Sequence, residues 1–588
     1  MKNSSTRTMT AKRIAVAVAA VCATLSAPSF AAGSDMKALM DLLLKKGVIT
    51  QQEYDQNIQA AAEDQAFKEK RLADDVAKLN KAAEKSAKSG FVKSNGFGFE
   101  SADGANSINL TGRLHFDARS FGNDFGQTVD RDAGSMADRF TVRRARLGVN
   151  GVFNKDMNYE LVTNLTGATA KDGSTTATST IDTAWINYMA SPEVQFRFGR
   201  MKQPLAMETL TSSNNIDFME RSYLDQLAPG KQNGMMFHGE KSGFVYAFSG
   251  WQQGFDPLTT TNGLAPQVGA RVATDLANAF NISSNSVMHI GFSAMTGKQE
   301  VVPSTSSQKG GNNETKGAFL AFRDENLGLN NVYRNRILGF CDAANPQAGG
   351  TNACASSATT GVIGFALPAQ EAAIVKKVMG AFEAAYATGP LKIQYEYADA
   401  KLTASGNAAN AAGTTIIPTT SSGHAKVQYL SLMYNLTGED WKTSYKSGLF
   451  GSIKPNSNFN FQNGSGKGAW QVGLRVSRYD ASDFGGSTEG TTIADEETTT
   501  SNGKHSCDGG FSRVTGGSTC YQVGGSPIAT TYTTGVNWIL NPNARVMLNY
   551  SMTKFDNLFF PIDTGTVNSK STASNASHVI SLRSQFNF

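Results

Sequence analysis

The chain of 588 residues has a formal net charge of +5, 40% hydrophobic residues and a mean hydropathy of −0.29. This near balance of charge gives no reason to expect a nucleic acid as a partner. The low hydropathy, with no long apolar run beyond the N-terminal region, excludes a helical membrane protein.

Residues 1–31 have the pattern of a secretory signal peptide. Four basic residues come first, an uncharged stretch follows at residues 14–25, and the small-residue pattern Ser29-Phe30-Ala31 ends the segment. The alternative, a short transmembrane anchor, is disfavoured because the apolar run is shorter than the ~20 residues that span a bilayer. Cleavage after Ala31 removes the four basic residues and lowers the formal charge from +5 to +1.

Residues 32–95 are predicted to form a periplasmic helical segment. Apolar residues recur at helical spacing from Met36 to Leu43, Gly47 ends this first helix, and Thr50-Gln-Gln-Glu53 is a capping box that opens a second helix. The second helix carries a sparse apolar stripe made of Phe67, Leu72, Val76 and Leu79. A coiled coil between copies of the chain and a solvated arm both fit this stripe.

After residue 96 the hydrophobic period changes from that of a helix to two. Leu114 and Phe116, for example, fall on one face, whereas His115 and Asp117 fall on the other. The same alternation recurs at residues 428–436, 471–479, 533–540, 546–551 and 579–588. Residues 96–588 therefore predict an all-β transmembrane barrel of about 16 antiparallel strands in the outer membrane of a Gram-negative bacterium, in contact with its lipid. A soluble β-sandwich is the alternative, but it does not need an apolar outward face.

Short turns and long polar loops alternate along this region. The predicted turns are Asn154-Lys155-Asp156, Ser191-Pro192-Glu193, Thr388-Gly389-Pro390 and Asn541-Pro542-Asn543. Short turns at one end and long loops at the other are typical of outer-membrane barrels. The chain also ends on an aromatic residue, Phe588, as such barrels commonly do.

The cysteines and histidines indicate structure rather than chemistry. Cys341 and Cys354 flank one polar stretch, and Cys507 and Cys520 flank another, so each local pair is a candidate loop disulfide in an oxidising periplasm, with free thiols as the alternative. The six histidines are scattered, and none lies in an HExxH, CxxCH or GxSxG context. We expect no enzyme, no cofactor and no metal site.

The most informative cluster is Arg143-Arg144-Ala145-Arg146. Alternation places Arg144 and Arg146 in the lumen, whereas Arg143 has the wrong parity and lies either at the rim or in a β-bulge that turns it inward. Guanidinium groups bind oxyanions through a fork of donors and stay charged, so rings of arginine select anions in pores. Alternatively, the arginines pair with Asp117, Asp182 or Glu160 and brace the barrel wall.

An ordered series of short motifs extends over nearly the whole mature chain. They lie at residues 42–50 (LLLKKGVIT), 111–117 (TGRLHFD), 142–148 (VRRARLG), 198–200 (FGR), 436–439 (LTGE), 468–470 (GAW) and 535–543 (GVNWILNPN). This series resembles the phosphate-selective porins O and P of Gram-negative outer membranes. The resemblance implies a homotrimer of barrels through which small anions, phosphate or other oxyanions, diffuse passively.

The resemblance also implies a central anion site. Its residues here are Arg113, Arg143, Arg144, Asp182 and Arg221, with Asp182 as an acidic counterweight, and Arg146 joins them by alternation. This chain has Thr209 and Asn214 where well-known members carry lysines, which predicts a weaker electrostatic funnel. Two alternatives keep the barrel: a non-selective general porin, and a scaffold for partner proteins.

Overall fold

The structure is a computed structural model. It describes residues 40–88, 90–93, 96–101, 103–124, 138–166, 180–252, 266–301, 317–326, 332–340, 364–365, 373–409, 416–484, 498–499, 505–506, 512–513, 520–521, 526–559 and 574–588. The predicted signal peptide lies outside these residues, as do Cys341, Cys354 and Cys507, and the side chain of Cys520 is not described, so both disulfides stay predictions.

The chain divides into two compact units, residues 1–90 and 91–588. In the first unit, residues 40–45 are helical, Gly47 has a φ of 69°, and helix α1 spans Gln51–Lys88. The capping box is present, because the backbone N–H of Thr50 donates to the Glu53 carboxylate (2.9 Å) and that of Glu53 donates to the Thr50 hydroxyl (3.3 Å). Among the described helices, none combines the length and apolarity needed to cross a membrane.

The second unit is a closed barrel of 16 antiparallel strands, in agreement with the prediction. Its strands are β1 Ser107–Phe121, β2 Arg139–Phe153, β3 Met157–Asn164, β4 Thr180–Ser191, β5 Val194–Lys202, β6 Lys231–Lys241, β7 Phe244–Gln252, β8 Pro266–Asp275, β9 Ser286–Val301, β10 Ala373–Thr388, β11 Leu391–Ala409, β12 Ile416–Asn435, β13 Ala469–Asp480, β14 Ile528–Asn541, β15 Ala544–Phe559 and β16 Ser574–Asn587. Each strand pairs with its neighbour in sequence, and β16 closes the barrel against β1, from Val579 opposite Phe121 to Asn587 opposite Arg113. Closure leaves no edge strand, so the ladder satisfies the backbone polar groups within lipid.

Shorter elements accompany the barrel. The short strands are Gly90–Lys93, Gly96–Glu100, Gly317–Phe322, Tyr333–Phe340, Gly364–Phe365, Tyr445–Lys446, Leu449–Phe450, Thr498–Thr499, His505–Ser506, Ser512–Arg513 and Cys520–Tyr521. The short helices are Met207–Leu210, Leu224–Leu227, Leu276–Ala279, Trp441–Ser444 and Ser482–Phe484.

Strict alternation separates the two faces of the wall. In β16, Ile580 and Leu582 are 54% and 43% exposed on the outside, whereas Ser581 and Arg583 are 3% and 0% exposed on the inside. Each strand therefore presents apolar side chains to lipid and polar ones to the lumen, as the period of two predicts.

The two ends of the barrel differ in their connections. At one end all four predicted short turns are found, and in the three-residue turn between β2 and β3 Asn154 and Lys155 have positive φ values of 52° and 69°. The other end carries connections such as residues 203–230 and 302–372.

Three segments fold into the lumen. Residues 203–230, and the described residues 320–326 and 332–333 of the connection 302–372, enter from the end with the long connections, whereas residues 436–468 enter from the end with the short turns. Tyr223 is fully buried, its ring lies edge-on to that of Tyr479 (4.8 Å), and its hydroxyl contacts that of Thr531 (2.8 Å). Trp441 and Phe450, in residues 436–468, are 3% and 4% exposed. The sequence analysis did not predict that this third segment lies inside the barrel.

Gly199 in β5 occupies a position that only glycine fits. Its φ is 121°, and a Cβ atom there would lie 2.2 Å from the carbonyl oxygen of Ala184 on β4. Gly250 in β7 offers a contrast, because a Cβ there would meet nothing within 4 Å. The two glycines form a matched pair for a stability test.

We expect Gly199→Ala to lower the free energy of unfolding by about 2 kcal/mol or more, because it combines a strained φ with a backbone clash. Gly250→Ala is expected to have little effect or to be slightly stabilising. Thermal unfolding of the purified proteins in detergent, followed by circular dichroism, compares them. Equal melting temperatures for the two variants would contradict this account of Gly199.

Candidate functional site

The lumen contains a cavity of about 790 Å³ between the wall and residues 203–230. Its charged lining consists of Arg113, Arg144, Arg146, Arg197, Arg200, Lys202, Arg221, Lys231 and Arg271 together with Glu160, Asp182, Asp225 and Glu240. Nine basic side chains therefore face four acidic ones. A low-dielectric wall around such an excess concentrates a positive field within the cavity.

The structure brings five of the six predicted site residues to this cavity: Arg113, Arg144, Arg146, Asp182 and Arg221. Arg143 is not among the lining residues. Its guanidinium donates to both carboxylate oxygens of Glu220 (3.0 and 3.2 Å), a residue that the sequence analysis did not select.

A β-bulge explains the parity of Arg143. His115 in β1 lies opposite Arg144, but Phe116 lies opposite Val142, so Arg143 is an extra residue without a partner in β1. This is the second of the two interpretations offered for Arg143. The bulge allows two consecutive arginines to reach the same carboxylate, since Arg144 lies 3.8 Å from Glu220.

A second bulge turns Asp182 toward the lumen. Val162 in β3 lies opposite Thr183 and Thr163 lies opposite Ile181, which leaves Asp182 unpaired in the ladder. Its carboxylate forms ion pairs with Arg146 (3.0 Å) and with Lys231. Bracing of the wall, the alternative function proposed for the arginines, thus applies to Arg146.

Glu220, within the inward segment 203–230, is in contact with four arginines. Its carboxylate contacts Arg119 (2.8 Å), Arg143 (3.0 Å) and Arg583 (2.9 Å) in addition to Arg144. Asp117 shares two of these arginines, because Arg119 and Arg583 each lie 2.7 Å from it. Four guanidinium groups therefore surround two carboxylates, and the cluster keeps a positive excess.

The surroundings of Glu220 keep it ionised. Burial alone would raise the pKa of its carboxyl, but Arg143 and the other three arginines outweigh burial and hold that pKa well below its usual range. The ionised carboxylate of Glu220 therefore stabilises the folded state at pH values above the unfolded-state pKa of about 4.3. This stabilisation is lost only as the pH falls through the depressed pKa of the folded state.

Several cations near the cavity are held by neutral oxygens rather than by carboxylates. Lys202 donates to the carbonyls of Thr209 (2.6 Å), Leu210 (3.1 Å) and Thr211 (2.7 Å), at the end of the helix Met207–Leu210. Arg113 donates to the hydroxyl of Ser213 (2.7 Å). Carbonyl and hydroxyl partners orient a cation without cancelling its charge, so these side chains keep attracting anions.

Arg221 combines both kinds of partner. It donates to the carbonyls of Glu208 (3.1 Å) and Thr211 (2.7 Å), and Asp225 lies 3.7 Å away. These hydrogen bonds link Arg221 to other residues of the same inward segment, in addition to the contacts of that segment with the barrel wall.

Strand alternation in the sequence identifies some of the charged residues in the lumen but not others. Arg197 alternates with the outward-facing Phe196 and Phe198, so alternation alone places it in the lumen, where its guanidinium lies 4.2 Å from the centre of the Trp185 ring. Glu220 lies outside the strands, where periodicity says nothing.

Comparisons with known proteins agree with this architecture. The family described as "Phosphate-selective porin O and P" matches residues 108–311 and 366–588. Porin O of Pseudomonas aeruginosa is 23% identical over 461 residues, which cover 77% of this chain and 84% of that protein.

Two solved porins have similar folds. An anion-selective porin from Comamonas acidovorans superposes with a TM-score of 0.40 at 11% identity, covering 82% of this chain and 100% of that one. OmpT of Vibrio cholerae, in its trimer form, gives 0.39 at 11% identity with the same coverages.

Replacing Glu220 with glutamine tests its place at the centre of the arginine cluster. We expect Glu220→Gln to lower the free energy of unfolding by about 3–5 kcal/mol, because Arg143 and Arg144 then lose their carboxylate partner while Arg119 and Arg583 keep only Asp117. Glu193→Gln is the matched control, since its ion pair with Lys241 is exposed and contributes about 0–1 kcal/mol. Thermal unfolding in detergent measures both, and similar losses for the two variants would refute the central role of Glu220.

Proposed function

Because the chain belongs to the phosphate-selective porin O and P family and is an outer-membrane anion porin, we propose that the cavity of arginines and lysines is where its anions are selected. The family makes the protein a channel rather than an enzyme. The observation that carries the proposal is the excess of nine basic over four acidic side chains around one cavity inside the barrel.

Oxyanions fit this chemistry best. Arg113, Arg144, Arg146 and Arg221 offer planar forks of donors that match phosphate or carboxylate oxygens and cannot lose their charge. Asp182 pairs with two cations of the lining and so lowers the affinity of the cavity for an anion, which allows a bound anion to leave. Arg143 acts by fixing Glu220 rather than by lining the cavity.

Thr209 also lines the cavity, so an uncharged residue occupies a position where a lysine would add charge. Lys202 and Lys231 still lie at the same cavity. We therefore propose selection of small anions in general, with phosphate as one of them, rather than strict selection of phosphate.

The reversal potential across a KCl gradient in a planar bilayer tests the anion pathway. The wild-type protein is expected to be anion-selective, and Arg113→Ala with Arg146→Ala to lower the ratio of anion to cation permeability roughly tenfold, because two cavity charges are lost. Arg478→Ala is the matched control, since Arg478 lies on the outward face of β13. A neutral wild-type potential, or equal effects of both changes, would favour a general porin or a scaffold.

Titrating phosphate into the chloride current tests the oxyanion site. Low phosphate should block the wild-type current, and the double variant should need roughly tenfold more phosphate for half-block, since charge-assisted hydrogen bonds are lost. Failure of phosphate to reduce the chloride current would limit the proposal to unspecific anion selection.

We also propose a homotrimer, to which the helical segment contributes contacts. Phe67, Leu72 and Val76 are 60%, 54% and 47% exposed on α1, and such a stripe gains stability by packing against other copies. Native mass spectrometry of the purified mature chain should show three copies. Replacing these three residues with serine should weaken the assembly, whereas a wild-type monomer would disprove the trimer.

A further inference from the structure

An apolar groove of about 750 Å³ runs over the outer face of the barrel, on the opposite side of the wall from the anion cavity. Its floor consists of small residues on three adjacent strands, because Ala270 in β8 lies opposite Ala294 in β9, which lies opposite Gly380 in β10. A Cβ atom at Gly380 would meet nothing within 4 Å. The floor is therefore open to whatever lies against the barrel.

Large apolar side chains form one wall of this groove. Val272 and Phe292 are 46% and 55% exposed, and the ring of Phe292 lies 5.2 Å from that of Phe382 on the neighbouring strand. This row of large residues lies beside the row of small ones, so the groove occupies the space that large side chains would fill at Ala270, Ala294 and Gly380. Phe248, 55% exposed and opposite Ala270, stands at the end of the row of small residues. A hydrocarbon chain is the apolar partner that lipid supplies at this face.

Three lysines lie beyond the groove, toward the end with the long connections. Lys298 in β9 is directly opposite Lys376 in β10, and Lys401 in β11 is opposite Val378, two residues from Lys376. All three are exposed and form no ion pair among the described residues. Like charges directly opposite each other destabilise a sheet, so a negatively charged partner would stabilise this arrangement.

Asp399 lies at the groove, opposite Gly380, but its carboxylate is paired with His424 (2.8 Å). Because Lys376 and Gly380 are four residues apart on one face of β10, the lysines lie about 13 Å along the strand from the groove floor. Long lysine side chains shorten this distance further.

We propose that the lysines and the groove together form a binding site for a phosphorylated lipid of the outer leaflet. Its phosphates would lie among Lys298, Lys376 and Lys401, and one acyl chain would lie over Ala270, Ala294 and Gly380. The lipid-facing position and the positive charge of the three lysines favour a phosphorylated lipid over a second copy of the chain. Nothing among the described residues of the groove indicates an acidic surface on a second copy that would match the lysines.

Native mass spectrometry of the detergent-purified porin tests the headgroup contacts, with lipid A and its dephosphorylated form as probes. Lys298→Gln, Lys376→Gln and Lys401→Gln together should weaken lipid A binding by roughly tenfold or more. Lys155→Gln, Lys467→Gln and Lys554→Gln form the control, since these exposed lysines lie elsewhere. Equal binding by the two triple variants, or equal binding of both lipids to the wild type, would overturn the proposal.

Gly380→Leu tests the groove, because a Cβ atom at this position meets nothing within 4 Å and the rest of the leucine side chain extends from it over the groove floor. It should weaken lipid A binding by about tenfold while leaving the reversal potential and the phosphate block unchanged, which separates this site from the anion pathway. Displacement of the lipid by excess inorganic phosphate alone would overturn the acyl contact. A change in oligomeric mass for Gly380→Leu would mark the groove as a subunit interface instead and equally overturn the proposal.

Discussion

The arrangement inside the barrel depends on the attraction between one carboxylate and four guanidinium groups. Arginine cannot relieve repulsion by losing a proton, so Arg119, Arg143, Arg144 and Arg583 can lie together only where acid groups compensate them. Most of this compensation comes from Glu220, which belongs to an inward segment rather than to the wall. Arg144, which lines the anion cavity, therefore also helps to hold in place the segment that forms one side of that cavity.

The fold could be predicted well because it follows from alternation, which is local. The period of two and the short turns give the number of strands and the two faces of the wall. The site could be predicted only in part. Alternation fails at the bulges of Arg143 and Asp182, and it cannot indicate that Glu220 or residues 436–468 lie in the lumen, since those positions depend on contacts between distant parts of the chain.

Basic side chains serve different purposes on the two sides of the same wall. Inside, arginines meet carboxylates, carbonyls and hydroxyls that fix their planes, which suits the recognition of a small ion in passage. Outside, Lys298 and Lys376 form no ion pair among the described residues, which leaves them able to follow a mobile headgroup. Because the alternation of the strands keeps these two populations apart, the outer one can bind anions without competing for those in the lumen.

The bulge at Arg143 affects how such barrels can tolerate insertions and deletions during evolution. One inserted or deleted residue within a regular strand would exchange its lipid-facing and lumen-facing sides from that point onward. At a bulge the extra residue is already accommodated, so loss of Arg143 would restore regular pairing with β1 and leave the other side chains of β2 on their own faces. Gain or loss of a single codon at this position is thus a route by which lineages can adjust the charge of the pore while its membrane surface stays the same.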